Sequence, residues 1–246
     1  MLTLGTHKRT KPISRTLNKG SNHSHFIEDL KYCISMQRAL LFGSSGTLGT
    51  ACRNKLIDEK WDVLTASHTK PLTVLPKLNS IVWAQGLNYS ASIEETSLVS
   101  WNSVIEANVT FVFRTLQEIL LKGVLEKEAR LVIVSSVWEH LARANKTAYI
   151  TSKSALGGLV RSLSVDLAPS GISINSVLPG VIDSPMTRQH LSAQTIDIIR
   201  KETPGGRLVS VKEVTDTIFY LISKNSSGIT GQSIIVDNGW SLCKNV

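Results

Sequence analysis

From Arg38 onward, short apolar runs alternate with longer amphipathic stretches. Ala39-Leu40-Leu41-Phe42, Asp62-Val63-Leu64-Thr65 and Ser80-Ile81-Val82-Trp83-Ala84 read as strands, followed by Leu131-Val132-Ile133-Val134, then 172–177 and Ser233-Ile234-Ile235-Val236. Most of these runs are apolar without alternation, which predicts strands covered on both faces. Helical spacing of apolar residues predicts helices from Leu48 to Lys60, Glu94 to Lys122, Tyr149 to Leu167 and Val211 to Ser223. Ala51, Cys52, Leu56 and Ile57 share a face of the first; Trp101, Val104, Ile105, Val112, Leu116 and Ile119 share a face of the second. Strands and helices in alternation indicate an α/β fold, a doubly wound parallel sheet with helices on both faces, in a single domain. Residues 68–79 hold two prolines and are too short for a helix and a further strand.

Composition narrows this picture. The chain has 246 residues, 42% of them hydrophobic and 19% charged, which suits one large domain with a substantial core. No apolar run approaches the ~18 residues that a membrane-spanning helix needs. Cys33, Cys52 and Cys243 have no metal-ligand spacing and are too few for a disulfide framework, so no metal site and a reducing, cytoplasmic setting are expected. Of the net charge of +8, half falls within residues 1–35, where Lys8, Arg9, Lys11, Arg15, Lys19 and Lys31 face only Glu28 and Asp29. That segment reads as a flexible basic extension preceding a domain at 36–246. No aromatic residues interleave with its charges, which disfavours a nucleic-acid-binding arm.

Candidate chemistry enters at two places. The first is Gly43-Ser44-Ser45-Gly46-Thr47-Leu48-Gly49, between the first strand and the first helix. Glycines there allow backbone to approach phosphate closely, and a helix N-terminus offers free N–H groups, so the fold is expected to be Rossmann-type with a dinucleotide at this loop. About 20 residues on, the second strand ends in Thr65-Ala66-Ser67-His68 without the acid that reads a ribose 2′-hydroxyl. Ser67 and His68 suit a 2′-phosphate, favouring NADP(H) over NAD(H). The second place is Tyr149 and Lys153, four residues apart on one helix face, with Ser136 closing the strand before them. A lysine ammonium beneath a phenol lowers its pKa, and a phenol so tuned can exchange a proton with an alcohol or carbonyl oxygen that a serine hydroxyl fixes.

In their order and spacing these residues resemble the short-chain dehydrogenases/reductases, from about Arg38 to the C-terminus. The resemblance implies a hydride transfer between nicotinamide and a ketone or secondary alcohol. It casts Ser136, Tyr149 and Lys153 as catalytic, with Lys153 also on the nicotinamide ribose and Asn108 holding a proton-relay water. It places Ala84, Gln85 and Gly86 beside the cofactor, and Pro179, Gly180, Ile182 and Ser184 against the nicotinamide carboxamide. Trp83-Ala84-Gln85-Gly86 departs from the family's Asn-Asn-Ala-Gly, and Thr47 stands where a glycine is usual. A catalytically weak regulatory member of the fold is the alternative that the altered turn favours. The run from Pro179 to Arg207 looks most like β-ketoacyl-carrier-protein reductases, implying a small carbonyl substrate that a carrier protein could present. Arg130 would be one cation for that carrier, and Ala168-Pro169-Ser170-Gly171 supplies no second. Self-association into a homodimer or homotetramer through the two long helices is implied as well.

Overall fold

The computed structural model describes residues 36–67, 72–226 and 228–243. The basic segment 1–35 and His68 lie outside the described residues. In chain order the strands are β1 (Arg38–Phe42), β2 (Asp62–Ala66), β3 (Leu78–Trp83), β4 (Leu125–Val134), β5 (Ser173–Pro179), β6 (Ile182–Asp183), β7 (Val209–Ser210) and β8 (Ser233–Val236). The α-helices are α1 (Thr47–Asp58), α2 (Leu98–Ile105), α3 (Phe111–Leu121), α4 (Thr147–Leu167), α5 (Pro185–His190), α6 (Ala193–Glu202) and α7 (Val211–Ile222). Six strands make one parallel sheet in the order β2-β1-β3-β4-β5-β8, and β6 pairs with β7 beside it.

Strand side chains point alternately to opposite faces, and this divides the apolar residues into two cores. Leu40, Phe42, Ile81, Trp83, Leu131 and Ile133 face Phe111, Leu116 and Ile119 of α3 and Leu156 and Val160 of α4. Ala39, Leu41, Val82 and Val132 face Cys52 and Leu56 of α1 and Val214, Ile218 and Leu221 of α7. The non-alternating strands of the sequence are thus apolar because both faces are covered. Burial pushes the Cys52 thiol up to about 12, so it packs as a small apolar group.

Among the described residues between β2 and β3 (67 and 72–77) no helix forms. Leu72 and Leu75 of that connection pack on the first core instead, filling part of the space a crossover helix would occupy. Trp83, at the end of β3, stacks on Phe42 with ring centres 5.8 Å apart, and Phe42 meets Phe111 edge-on at 5.3 Å. The indole Nε1–H donates to Thr115 Oγ1 at 2.9 Å, and the Thr115 hydroxyl donates to the Phe111 carbonyl at 2.7 Å. The altered turn sequence therefore keeps a polar tie between the central strand and the helix that covers it.

Three expectations shift. The helix expected from Glu94 begins at Leu98, because Ser97 caps it by accepting the Ser100 N–H at 3.1 Å. It is then broken by a π-helical turn at Glu106–Thr110. The strand expected at 131–134 begins at Leu125, its exposed first half (Glu126 to Glu128) being too polar to read as strand. Ile57, expected on the buried face of α1, is 43% exposed.

Replacing Trp83 with leucine should remove the indole hydrogen bond and leave a partial cavity. A loss of about 2–4 kcal/mol in urea unfolding is expected.

Candidate active site

In a parallel sheet the strands' C-terminal ends share one edge, and the sequence candidates gather there. After β1, Gly43 adopts φ +77, a left-handed conformation suited to glycine, and a Cβ on it would lie 2.5 Å from the Gln85 nitrogen. A Cβ on Gly49 would lie 1.9 Å from the Gly43 carbonyl oxygen, so the loop folds directly onto the first turn of α1. Gly46 is the N-cap of α1 and no side chain caps that end. The resulting cavity, about 440 Å³, is lined by Phe42, Gly43, Ser44, Ser45, Thr65, Ala66, Ser67, Gln85 and Phe111. Gln85 Oε1 is buried there without a hydrogen-bond partner. A glycine loop, an uncapped helix start and an orphaned amide oxygen fit a dinucleotide with phosphates on the loop. Thr47 and Leu48 begin α1 behind the loop, and Ala84 donates its N–H to the Phe42 carbonyl at 3.1 Å, joining the ends of β1 and β3.

The proton-transfer candidates stand at the ends of β4 and α4. Ser136 follows β4 and is buried; its Oγ accepts the Trp138 N–H at 3.4 Å. Lys153 is only 3% exposed, and its Nζ donates to the Val134 carbonyl at 3.1 Å and stands 5.6 Å from the Tyr149 ring centre. Burial pulls the Lys153 ammonium down to about 8, against an opposing pull from the Glu139 carboxylate. Burial pushes the Tyr149 phenol up, while a hydrogen bond with Ser136 works the other way. The expected lowering of the phenol by Lys153 is not found: burial raises it, and the opposing pull comes from Ser136.

Asn108 is central to this arrangement; its place on the apolar stripe of its helix already called for a satisfied buried amide, and its partners are now seen. It lies in the π turn and is 1% exposed. Its Oδ1 accepts the Leu87 N–H at 2.7 Å, and its Nδ2 donates to the Leu87 carbonyl at 3.0 Å and to Ser152 Oγ at 2.8 Å. Ser152 in turn donates to the Tyr149 carbonyl at 2.7 Å. One carboxamide therefore locks the loop after β3 to the turn of α4 that carries Tyr149 and Lys153. Gly86 completes the contact: a Cβ there would lie 3.4 Å from Asn108 Oδ1 and 3.5 Å from Lys153 Nζ.

Glu139 was missed. Its side chain is 2% exposed, its Oε1 accepts the Ser233 hydroxyl at 2.6 Å, and His140 Nε2 stands 3.8 Å away. Its Oε2 is buried with no partner. The carboxylate lies on Gly157, where a Cβ would come within 2.3 Å of Oε1, one helical turn beyond Lys153 on the same face of α4. An acid three residues after Ser136 was the only signal available.

The remaining candidates flank the same edge. Pro179 ends β5, and a Cβ on Gly180 would lie 2.7 Å from Asp237 Cβ, so the chain turns tightly there. Ile182 is in β6, and Ser184 Oγ caps α5 by accepting the Thr187 N–H at 3.2 Å. Arg130 is not brought to this edge: it pairs with Ser173 at the other end of β4's paired segment and donates to the Glu128 carbonyl at 3.0 Å.

Comparison with known proteins accords with this geometry. A family model described as enoyl-(acyl carrier protein) reductase matches residues 65–241. An uncharacterized oxidoreductase, YmfI, of Bacillus subtilis is 30% identical over 179 residues, 73% of this chain and 71% of that protein. A 3-oxoacyl-[acyl-carrier-protein] reductase of Aquifex aeolicus is 34% identical over 143 residues, 58% of this chain and 57% of its own. The match to that reductase therefore spans little more than half its length. A short-chain dehydrogenase family protein from Francisella tularensis shares the fold, with a TM-score of 0.76 at 23% identity over 85% of this chain and 100% of that one.

Asn108→Ala would strip Leu87 and Ser152 of their shared partner. It should cost about 1–3 kcal/mol in urea unfolding, more than a truncation on an exposed helix face.

Proposed function

The chain belongs to the short-chain dehydrogenase/reductase family of NAD(P)-dependent oxidoreductases, and we propose that it interconverts a ketone and a secondary alcohol with Tyr149 as the proton-transfer group. The observation that carries this reading is the meeting of Tyr149, Ser136 and buried Lys153 at the sheet edge that also bears the nucleotide cavity. The glycine loop and Gln85 would hold a nicotinamide dinucleotide, which when bound would supply the hydride in reduction and take it up in oxidation. Tyr149 gives its proton to the carbonyl oxygen as that oxygen becomes an alkoxide, so that hydride and proton together yield the alcohol. Ser136 donates to the same oxygen and orients it. A phenol raised by burial keeps its proton at neutral pH, which suits the reductive direction. Lys153 supplies the nearby positive charge that stabilises the phenolate left behind, and binds the nicotinamide ribose. Asn108 acts through its strut on Leu87 and Ser152; its carboxamide is committed to protein partners, so a relay water would sit on a backbone carbonyl that the π turn releases from the helix ladder.

NADP(H) is the preferred form in this reading. Thr65, Ala66 and Ser67 line the cavity and bring no carboxylate to it, which favours a 2′-phosphate over a 2′-hydroxyl. The substrate is a small molecule. Presentation by an acidic carrier protein draws its support from the likeness to 3-oxoacyl-[acyl-carrier-protein] reductases, but Arg130 lies away from the site and would not serve as the cation beside it. Self-association of the long helices has support in exposed Phe113, Leu120 and Leu121 on α3 and Val165 on α4. No helix of the described residues is long and apolar enough to cross a membrane.

Tyr149→Phe should lower ketone reduction by at least about 10²-fold, while fluorescence titration shows NADPH bound as in the parent and more tightly than NADH. Near-parental turnover in the variant would remove Tyr149 from the mechanism.

Because the useful form of Lys153 is the cation, kcat/KM for reduction should hold below about pH 8 and fall as pH rises through it. The Glu139 charge raises that pKa, so Glu139→Gln should move the fall to lower pH, as a full pH–rate profile would reveal.

A further inference from the structure

Beside Tyr149 stands a cation that the proton chemistry does not use. Lys146 precedes Tyr149 by three residues, and its Nζ stands 5.4 Å from the Tyr149 ring centre. The phenol is therefore approached by two ammonium groups, from Lys146 and Lys153. Lys146 is held from several sides. Asn145 turns the chain with φ +61, and its carbonyl accepts the Ala91 N–H at 3.1 Å. Ala91 and Lys146 form a parallel β-bridge, and Lys146 Nζ donates to Asn88 Oδ1 at 2.6 Å. The loop after β3 thus fixes both the backbone and the head of this lysine.

Among the described residues no anion is paired with Lys146, and its hydrogen-bond partner is a neutral amide. Partial burial of Lys146, and after it the charge of nearby Arg143, lower the Lys146 pKa. A pre-positioned, half-desolvated ammonium facing a like charge is a place where an incoming anion gains more than it would at an exposed lysine.

We infer that Lys146, backed by Arg143, binds a carboxylate on the substrate, which makes that substrate a short oxo acid in preference to a neutral ketone. The inference rests on the reading of Tyr149 as proton donor. A carboxylate on Lys146 and a carbonyl at the Tyr149 hydroxyl would be only a few bonds apart, since one aromatic ring separates the two positions. A carrier-bound thioester has no negative charge at that distance from its ketone.

The test compares acids with their neutral esters: acetoacetate against methyl acetoacetate, and levulinate against methyl levulinate, each with NADPH. The parent protein should prefer acid over ester in kcat/KM by on the order of tenfold, the worth of a charge-assisted hydrogen bond. In Lys146→Met that ratio should collapse toward one, chiefly through the KM of the acid, and Lys146→Arg should largely keep it. A ratio near one in the parent, or a ratio that Lys146→Met leaves intact, overturns the inference alone, provided ester reduction still depends on Tyr149. Reduction of neither acid nor ester, with NADPH bound, takes down the reading of Tyr149 and this inference with it.

Discussion

An ammonium withdrawn from water must be compensated by its surroundings, and much of this site can be understood from how Lys153 is accommodated. The Val134 carbonyl accepts from it, the Tyr149 ring lies near it, Gly86 leaves it room, and Glu139 supplies an opposite charge through the protein. Each contact comes from a different part of the chain: the end of β4, the first turn of α4, the loop after β3 and the short turn after Ser136. The lysine can be buried only if all of these arrive at the same edge of the sheet. The parallel arrangement of the strands provides that edge, and the Asn108 carboxamide ties its pieces together.

The two halves of the site are built on different principles. At the nucleotide end the backbone does the shaping, with Gly43 pressed against the turn after β3, Gly49 pressed against Gly43, and an α1 N-terminus left uncapped. At the proton-transfer end side chains do it, through a connected set of hydrogen bonds from Leu87 by way of Asn108 and Ser152 to Tyr149. Gln85 and Gly86 stand between the two and belong to both. The substitution of Trp83 for a polar residue is absorbed on the core side, by stacking on Phe42 and a bond to Thr115, so it leaves the site edge itself in place.

The sequence made much of this legible because the fold writes a strong local signature. Strands buried on both faces are apolar without alternation, and glycines after β1 mark a turn that side chains would obstruct. Helical spacing put Tyr149 and Lys153 on one face, and Ser136, Asn108 and the glycine loop gave that spacing its meaning. What stayed hidden depended on contacts between distant segments. The π turn leaves no trace in apolar spacing, since Val104 and Val112 remain on one stripe on either side of it. Glu139 looks like a surface acid until Gly157 and Ser233 are seen to enclose it. The sign of the Tyr149 shift was also out of reach, because burial of the ring depends on the loops around it.

The position of β2 in the sheet has a further effect on the nucleotide cavity. Within the described sheet, β2 is hydrogen-bonded on one side only, whereas β1 and β3 are each paired on both. The wall formed by Thr65, Ala66 and Ser67 is therefore a margin, while the wall formed by Gly43 and Gln85 belongs to the interior of the sheet. A ligand spanning the cavity joins a stiff wall to a compliant one. Part of its binding free energy would go into quieting that margin, so affinity at this end depends on the order of a single edge strand as well as on contacts with the ligand.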